Sequence, residues 1–287
     1  MKEEQTIVVT GGAGFIGSHL CARLVSLGHK VISLDNYFVG TAKAHIPGVD
    51  YREGHTKHIE RHVPESPDYI YHLGEYSRVE VSMSEPALLW DLNVAGTFGV
   101  LEFWRKHCSK LIYAGSSTKF AADGSGRHQS PYAFSKATNT DQVRNYATWY
   151  NLPFAITYFY NVFGPGERSG KYGTVIEIFR RKYESGEPLP VNAPGTQQRI
   201  FTHVEDIVDG LVLVADKGTG DGFCLGANES HSILEIAQMF DAAIDMRPEV
   251  AGNRVSSSLD ATKSHALGWR PRRRVADYIK EITEQSA

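Results

Sequence analysis

Cysteine is scarce in this chain of 287 residues: Cys21, Cys108 and Cys224 lie far apart and share no metal-ligand spacing. Neither a disulfide framework nor a cysteine-built zinc site is expected, only free thiols in a reducing cytoplasm. An excess of one charge is lacking as well. With 30 Lys and Arg against 33 Asp and Glu, net −3, the chain has no general attraction for nucleic acid or an anionic membrane, and neither is expected as a partner. The four arginines from Arg270 to Arg274 read as solvated surface. No run approaches the roughly twenty apolar residues of a membrane-spanning helix. The start, Met1-Lys2-Glu3-Glu4-Gln5, has no apolar signal region, which adds to the expectation of a soluble cytoplasmic protein. Internal repeats and low-complexity tracts are missing. With 41% hydrophobic and 22% charged residues, the chain is long enough for one large α/β core and a smaller appended lobe.

What is present is organised around Thr10-Gly11-Gly12-Ala13-Gly14-Phe15-Ile16-Gly17. It follows a β-like run, Thr6 to Thr10, and opens a helical pattern with Leu20, Leu24 and Leu27 on its apolar face, so it is a strand–turn–helix glycine loop. Gly12, Gly14 and Gly17 match G-x-G-x-x-G, while Gly11, Gly14 and Gly17 match G-x-x-G-x-x-G. Both patterns allow a tight turn and a close backbone approach to a pyrophosphate at the helix N-terminus. A second strand, Val31 to Asp35, ends in an acid eighteen residues past Gly17. A carboxylate there accepts from both ribose hydroxyls and repels a 2′-phosphate, and Asn36 adds no cation, so NAD is expected rather than NADP.

Further strands are read at Tyr51 to Gly54, Asp68 to Gly74, Lys110 to Ala114 and Phe154 to Phe159. In a doubly wound sheet, ligands collect beyond the carboxyl ends of such strands. That rule aims Glu75, Tyr76, Ser77, Arg78 and Ser82 at the cleft after the fourth strand, and Ser116, Ser117 and Thr118 after the fifth. Pro86 opens a long helix to His107, and Pro131 another to Tyr150. The first is apolar on more than one side and needs cover on two faces. Tyr132 and Lys136, four apart on the second, share a face. Alone, such a pair usually means packing and solvation; beside strand-end hydroxyls and a glycine loop it becomes a candidate for proton transfer. A free tyrosine, with a pKa near 10, is only about one part in a thousand phenolate at pH 7, so a neighbouring ammonium is needed for it to act as a base.

His55, His58 and His62 have helical spacing but no cysteine or clustered acid to complete a metal site, and read as solvated. After Asn161-Val162-Phe163-Gly164-Pro165-Gly166 the chain is expected to enter its second lobe. Helices are read from Thr174 to Glu184, from Val204 to Ala215, and from the capping box Ser232-x-x-Glu235 to Ala243. Short strands are read at Arg199 to Thr202 and Phe223 to Leu225.

With the Thr10–Gly17 loop, Asp35, Ser116-Ser117-Thr118 and Tyr132-x-x-x-Lys136 in this order, the chain resembles the extended short-chain dehydrogenase/reductase family, most of all its nucleotide-sugar epimerases and dehydratases. His72-Leu73, Asn93, Tyr160 to Pro165, Arg199 to Asp206 and Leu267 to Pro271 extend the resemblance over nearly the whole chain. It implies an α/β fold, a doubly wound parallel Rossmann sheet with a smaller C-terminal α/β substrate lobe. Residues 1–165 would bind NAD, with the chain returning to that domain around 200–225, and 166–287 would mainly form the nucleotide-sugar lobe. It further implies that Gly11, Gly14, Phe15, Ile16, Gly17, Asp35, Asn36, Leu73, Gly74 and Tyr160 line the NAD site together with Tyr132 and Lys136. Tyr132 would be the catalytic acid/base. Lys136 would bind the nicotinamide ribose and favour the charged form of the tyrosine, and Ser116 would hydrogen-bond the reacting sugar hydroxyl. Asn161, Arg199 and, on a looser motif, Arg254 would hold the nucleotide diphosphate. Pairing of the two long helices would make a homodimer.

Departures from the family pattern bear on the reaction. Ser117 and Thr118 stand where 4,6-dehydratases carry an Asp-Glu pair for eliminating water across C5 and C6, so elimination is disfavoured. His55 stands where many members place an aspartate against the adenine, and Ala133 replaces a frequent glycine. Gly74-Glu75-Tyr76 replaces a run of small residues near the nicotinamide, so that Glu75 reads either as a sugar-binding or chemical group, beside Arg78, or as a solvent-facing one. The expectation is an NAD-dependent 4-epimerase of a UDP-, dTDP- or GDP-sugar, working through a transient 4-keto sugar. The alternatives are a 4,6-dehydratase or a C4 oxidoreductase of the same family. A non-catalytic dinucleotide sensor would not need the intact serine, tyrosine and lysine.

Overall fold

The computed structural model describes residues 3–120, 126–249 and 259–286. Seven strands, β1 (Thr6–Thr10), β2 (Lys30–Asp35), β3 (Val49–Glu53), β4 (Tyr69–His72), β5 (Lys110–Ser116), β6 (Phe154–Phe159) and β7 (Gly220–Leu225), form one sheet. Their order is β7-β6-β5-β4-β1-β2-β3, and every neighbouring pair is parallel. The main helices are α1 (Phe15–Ser26), α2 (Gly96–His107), α3 (Pro131–Tyr150), α4 (Val175–Glu184), α5 (Val204–Lys217) and α6 (Val275–Ser286).

The continuous apolar run Ile7-Val8-Val9 is buried on both sides of β1, as a parallel sheet with helices on both faces requires. On one face Leu20, Cys21 and Leu24 of α1 meet Ile207, Val208 and Leu211 of α5. On the other, Val100, Leu101 and Trp104 of α2 join Val143 of α3. The strand order reverses between β1 and β4, which opens the crevice where such sheets take ligands.

α3 starts where Ser130 accepts the Ala133 N–H at 3.1 Å and Pro131 presets the first turn, and it stops at Asn151 with a left-handed φ of 53°. The helix read from Pro86 to His107 is interrupted: a wider π-type turn over Trp90–Ala95 separates Pro86–Leu89 from α2. That turn carries the buried Asn93, whose amide accepts from the Tyr76 N–H at 2.6 Å and donates to the Tyr76 carbonyl and to Ser135, each at 3.1 Å. Apolar periodicity does not reveal such a turn, which is frequent near functional sites.

Beyond β6 a separate core forms from Phe163, Ile176, Phe179, Leu189, Val191, Phe240 and Ile279, while α5 and β7 return to the main sheet. The capping box at Ser232 and Glu235 is present, but its helix ends at Gln238 rather than Ala243. The arginine run is not simply solvated surface. Buried Asp206 accepts the backbone N–H groups of Arg272 and Arg273 at 2.9 Å each and ion-pairs with the Arg273 guanidinium at 2.7 Å. Trp269 also donates to the Asp206 carbonyl at 2.8 Å, so the 199–206 and 267–271 strings lock together. Among the described residues no helix is long and apolar enough to cross a membrane.

Candidate active site

The glycine loop is shaped by absent side chains. At Gly11 (φ +75°) a Cβ would meet the Gly74 backbone at 2.9 Å, and at Gly17 it would sit 2.0 Å from the Gly11 carbonyl oxygen. Gly14 is the N-cap of α1 and makes no side-chain hydrogen bond, so the first-turn N–H groups, with Phe15 and Ile16 partly exposed beside them, have no capping side chain. This cradle fits a dinucleotide pyrophosphate. Leu73 and Gly74 form the opposite wall, where the Gly74 N–H donates to Thr10 Oγ1 at 3.0 Å. Asp35, at the end of β2, accepts from the Ala13 N–H at 3.0 Å and the Tyr37 N–H at 2.8 Å. Burial pushes its carboxyl up, against those two bonds and the nearby charge of Arg168. Asn36 is exposed and accepts the Phe38 N–H at 3.1 Å. Tyr160 is fully buried just past β6. Arg168 escaped the sequence reading: it reaches the loop from the second lobe and donates to the Ala13 carbonyl at 3.1 Å. An arginine shortly after a Gly-Pro-Gly turn was its only signal.

Across the cleft, the end of β5 and the first turns of α3 bring Ser116, Tyr132 and Lys136 together, all buried. The Tyr132 hydroxyl donates to Ser116 Oγ at 3.3 Å, and the Thr118 hydroxyl donates to the same oxygen at 2.9 Å. Ser117 lies beside them, partly buried. Lys136 Nζ donates to the Ala114 carbonyl and to Glu75, and lies 4.6 Å from the centre of the Tyr113 ring. Glu75 corrects the solvent-facing reading. Its side chain is 3% exposed and lies behind Lys136, where it accepts from Thr97, Tyr113 and Asn139. Thr97 and Asn139 were missed. The usable signal was position, since Asn139 lies three residues beyond Lys136 and Thr97 four beyond Asn93.

Arg78 donates from Nε to the Tyr172 carbonyl at 2.6 Å; burial pushes its guanidinium down, against the attraction of Tyr132 and Glu167. Arg199 lines a cavity of about 750 Å³ together with Gln198, Ile200, Asn228, Asp260 and Thr262. Asn161 is tied to it by donating to the Ile200 carbonyl at 2.8 Å. Arg254 lies outside the described residues. His55 is not solvated as expected: it accepts the Lys57 N–H and faces Asp91, each at 3.1 Å, and burial pushes its ring down. Among the described residues no group of three His, Cys, Asp or Glu is placed to hold a metal ion.

Known proteins share this arrangement to a measurable extent. The chain is 31% identical over 255 residues to a UDP-N-acetyl-alpha-D-glucosaminuronate decarboxylase of Bacillus cytotoxicus, covering 80% of this chain and 78% of that one. It is 27% identical over 298 residues to a putative UDP-glucose 4-epimerase of Methanocaldococcus jannaschii, covering 96% of each. The solved structure of a Thermus thermophilus UDP-glucose 4-epimerase in complex with NAD superposes with a TM-score of 0.87 at 26% identity, covering 98% of both chains. The family model described as the NAD dependent epimerase/dehydratase family matches residues 7–226, the stretch that carries the glycine cradle, Asp35, the strand-end hydroxyls and the tyrosine–lysine pair. The chain belongs to that family of NAD-dependent enzymes of nucleotide sugars.

Proposed function

We propose that the chain is an NAD-dependent nucleotide-diphosphate-sugar 4-epimerase. The observation that carries this reading is the hydroxyl cluster of Ser116, Thr118 and Tyr132, in which Ser117 and Thr118 occupy the positions of a dehydratase's acid pair. Ser116 Oγ already accepts from Thr118, so its own proton is left to hydrogen-bond the C4 oxygen of a sugar. Tyr132 takes the proton of the C4 hydroxyl and later returns one. Gly11, Gly14, Gly17 and the first turn of α1 hold the cofactor pyrophosphate, Asp35 holds the adenosine ribose, and Lys136 holds the nicotinamide ribose. Bound NAD supplies a hydride acceptor for oxidation at C4 and, once reduced, the donor that restores it.

Arg199 lines a cavity whose size suits the nucleotide end of the substrate, Asn161 holds the neighbouring Ile200, and a guanidinium matches diphosphate oxygens in pairs. Phe98 on α2 and Trp149 on α3, 52% and 65% exposed, support a homodimer through these helices; light scattering at micromolar concentration is expected to give twice the chain mass, and a monomer contradicts it. The reaction is tested by incubation with UDP-, dTDP- and GDP-hexoses followed by NMR. Inversion at C4 with the C6 hydroxyl kept is expected. A 4-keto-6-deoxy product, or carbon dioxide released from a uronate, overturns the assignment.

A further inference from the structure

Glu75 is a charge that the proposed chemistry does not use, yet it is among the most fully bonded side chains of the site. Its carboxylate is paired with Lys136 and accepts from Asn139 Nδ2 at 2.6 Å, Thr97 Oγ1 at 2.7 Å and the Tyr113 hydroxyl at 3.1 Å. Because Thr97 gives its proton to Glu75, the 2.9 Å contact between Thr97 and His72 has His72 Nε2 as donor. His72 Nδ1 then accepts the Thr10 hydroxyl at 2.7 Å, and Thr10 in turn accepts the Gly74 N–H. Burial pushes the His72 ring down to about 4, so it is neutral near pH 7 and its Nδ1 is the acceptor of the pair with Thr10. Burial also pushes the Glu75 carboxyl up, but Lys136 together with the other groups around it more than offsets this and holds it below the usual range.

The groups facing the pair are thus His72 from β4, Tyr113 from β5, and Tyr132 and Lys136 from α3. Arg78 is close enough to Tyr132 for the two to interact through their charges. Among these, Glu75 is the anion and Lys136 the cation in direct contact with it.

We propose that Glu75 is a positioning residue which fixes Lys136 and, by neutralising it, sets the pH at which the Tyr132–Lys136 pair gives up the proton that catalysis requires. The ammonium favours a phenolate at Tyr132, and a carboxylate on its far side offsets that help. Without the carboxylate the Lys136 ammonium acts on Tyr132 unopposed, so the Tyr132 proton leaves at lower pH. This proposal rests on the reading of Tyr132 as acid/base.

The test is an NMR titration of ring-labelled tyrosine in the substrate-free protein, with the Tyr132 resonance identified by its loss in Tyr132→Phe, run beside the pH profile of kcat. In Glu75→Gln the Tyr132 midpoint and the acidic limb of kcat are expected to move together to lower pH, by about one unit or more. Glu75→Asp, which keeps the charge, is expected to stay near the wild type. Glu75→Ala removes the charge with a small side chain and is expected to follow Glu75→Gln. An unmoved or raised midpoint in either charge-removing variant overturns the proposal. So does unfolding of both while Glu75→Asp stays folded, which would assign Glu75 to the fold alone. Full turnover in Tyr132→Phe would sink the acid/base reading instead, and it leaves the titration shift of Glu75→Gln readable.

Discussion

The two walls of the cleft are made of different material. Around α1 the wall is backbone: Gly11 and Gly17 approach other main-chain atoms so closely that a Cβ has no room, and Asp35 fastens the loop through the Ala13 N–H. Facing it, the wall is a side-chain network in which Ser116, Tyr132, Lys136, Glu75, Thr97 and Asn139 come from four separate stretches of chain. On the proposed reading the first wall holds a cofactor without doing chemistry and the second does chemistry only when every partner is in place, so damage to the two should look different.

The largest effect belongs to the side-chain wall. Tyr132→Phe removes one hydroxyl and is expected to lower kcat by about a hundredfold to ten-thousandfold while the melting temperature and the content of bound NAD stay close to wild type. Equal loss of NAD in this variant would erase the distinction between the walls. Gly17→Ala attacks the backbone wall. Its new Cβ would lie 2.0 Å from the Gly11 carbonyl oxygen, so the turn must shift; a stability loss of about 1–3 kcal/mol is expected, with bound NAD lost on purification. Cofactor content after denaturation and a thermal melt check both effects, and full retention of NAD would show that the cradle is not the pyrophosphate site. Arg199→Ala is expected to affect substrate binding alone. Calorimetry with UDP, dTDP or GDP is expected to show binding weakened by roughly 1.5–3 kcal/mol, the range for hydrogen bonds to charged groups, with NAD binding unchanged. An unaltered affinity would remove Arg199 from the diphosphate site.

The same contrast explains what was legible in the sequence. The glycine loop, Asp35, the helix start at Pro131 and the capping box at Ser232 rest on residues close in sequence, where turn geometry and spacing suffice. Glu75 was ambiguous because its fate depends on Lys136, sixty-one positions away, and on Asn139, sixty-four away. No local pattern says that four donors will converge on one carboxylate. Arg168 meets Ala13 across 155 positions, and the same distance effect hid the Asp206 contacts with the arginine run. The π-type turn at Trp90–Ala95 was invisible for another reason: its apolar residues keep a helical rhythm while the hydrogen bonds widen.

The central claim is that hydride leaves C4 of a nucleotide sugar and comes back to the same carbon from the other face. Turnover of a nucleotide hexose carrying deuterium at C4, followed by NMR of the product, tests it most directly. The deuterium is expected to remain on C4 of a sugar with inverted configuration there and an intact C6 hydroxyl. Deuterium found at C6, as when water is eliminated across C5 and C6, or left in the reduced cofactor with an oxidised sugar released, would contradict it.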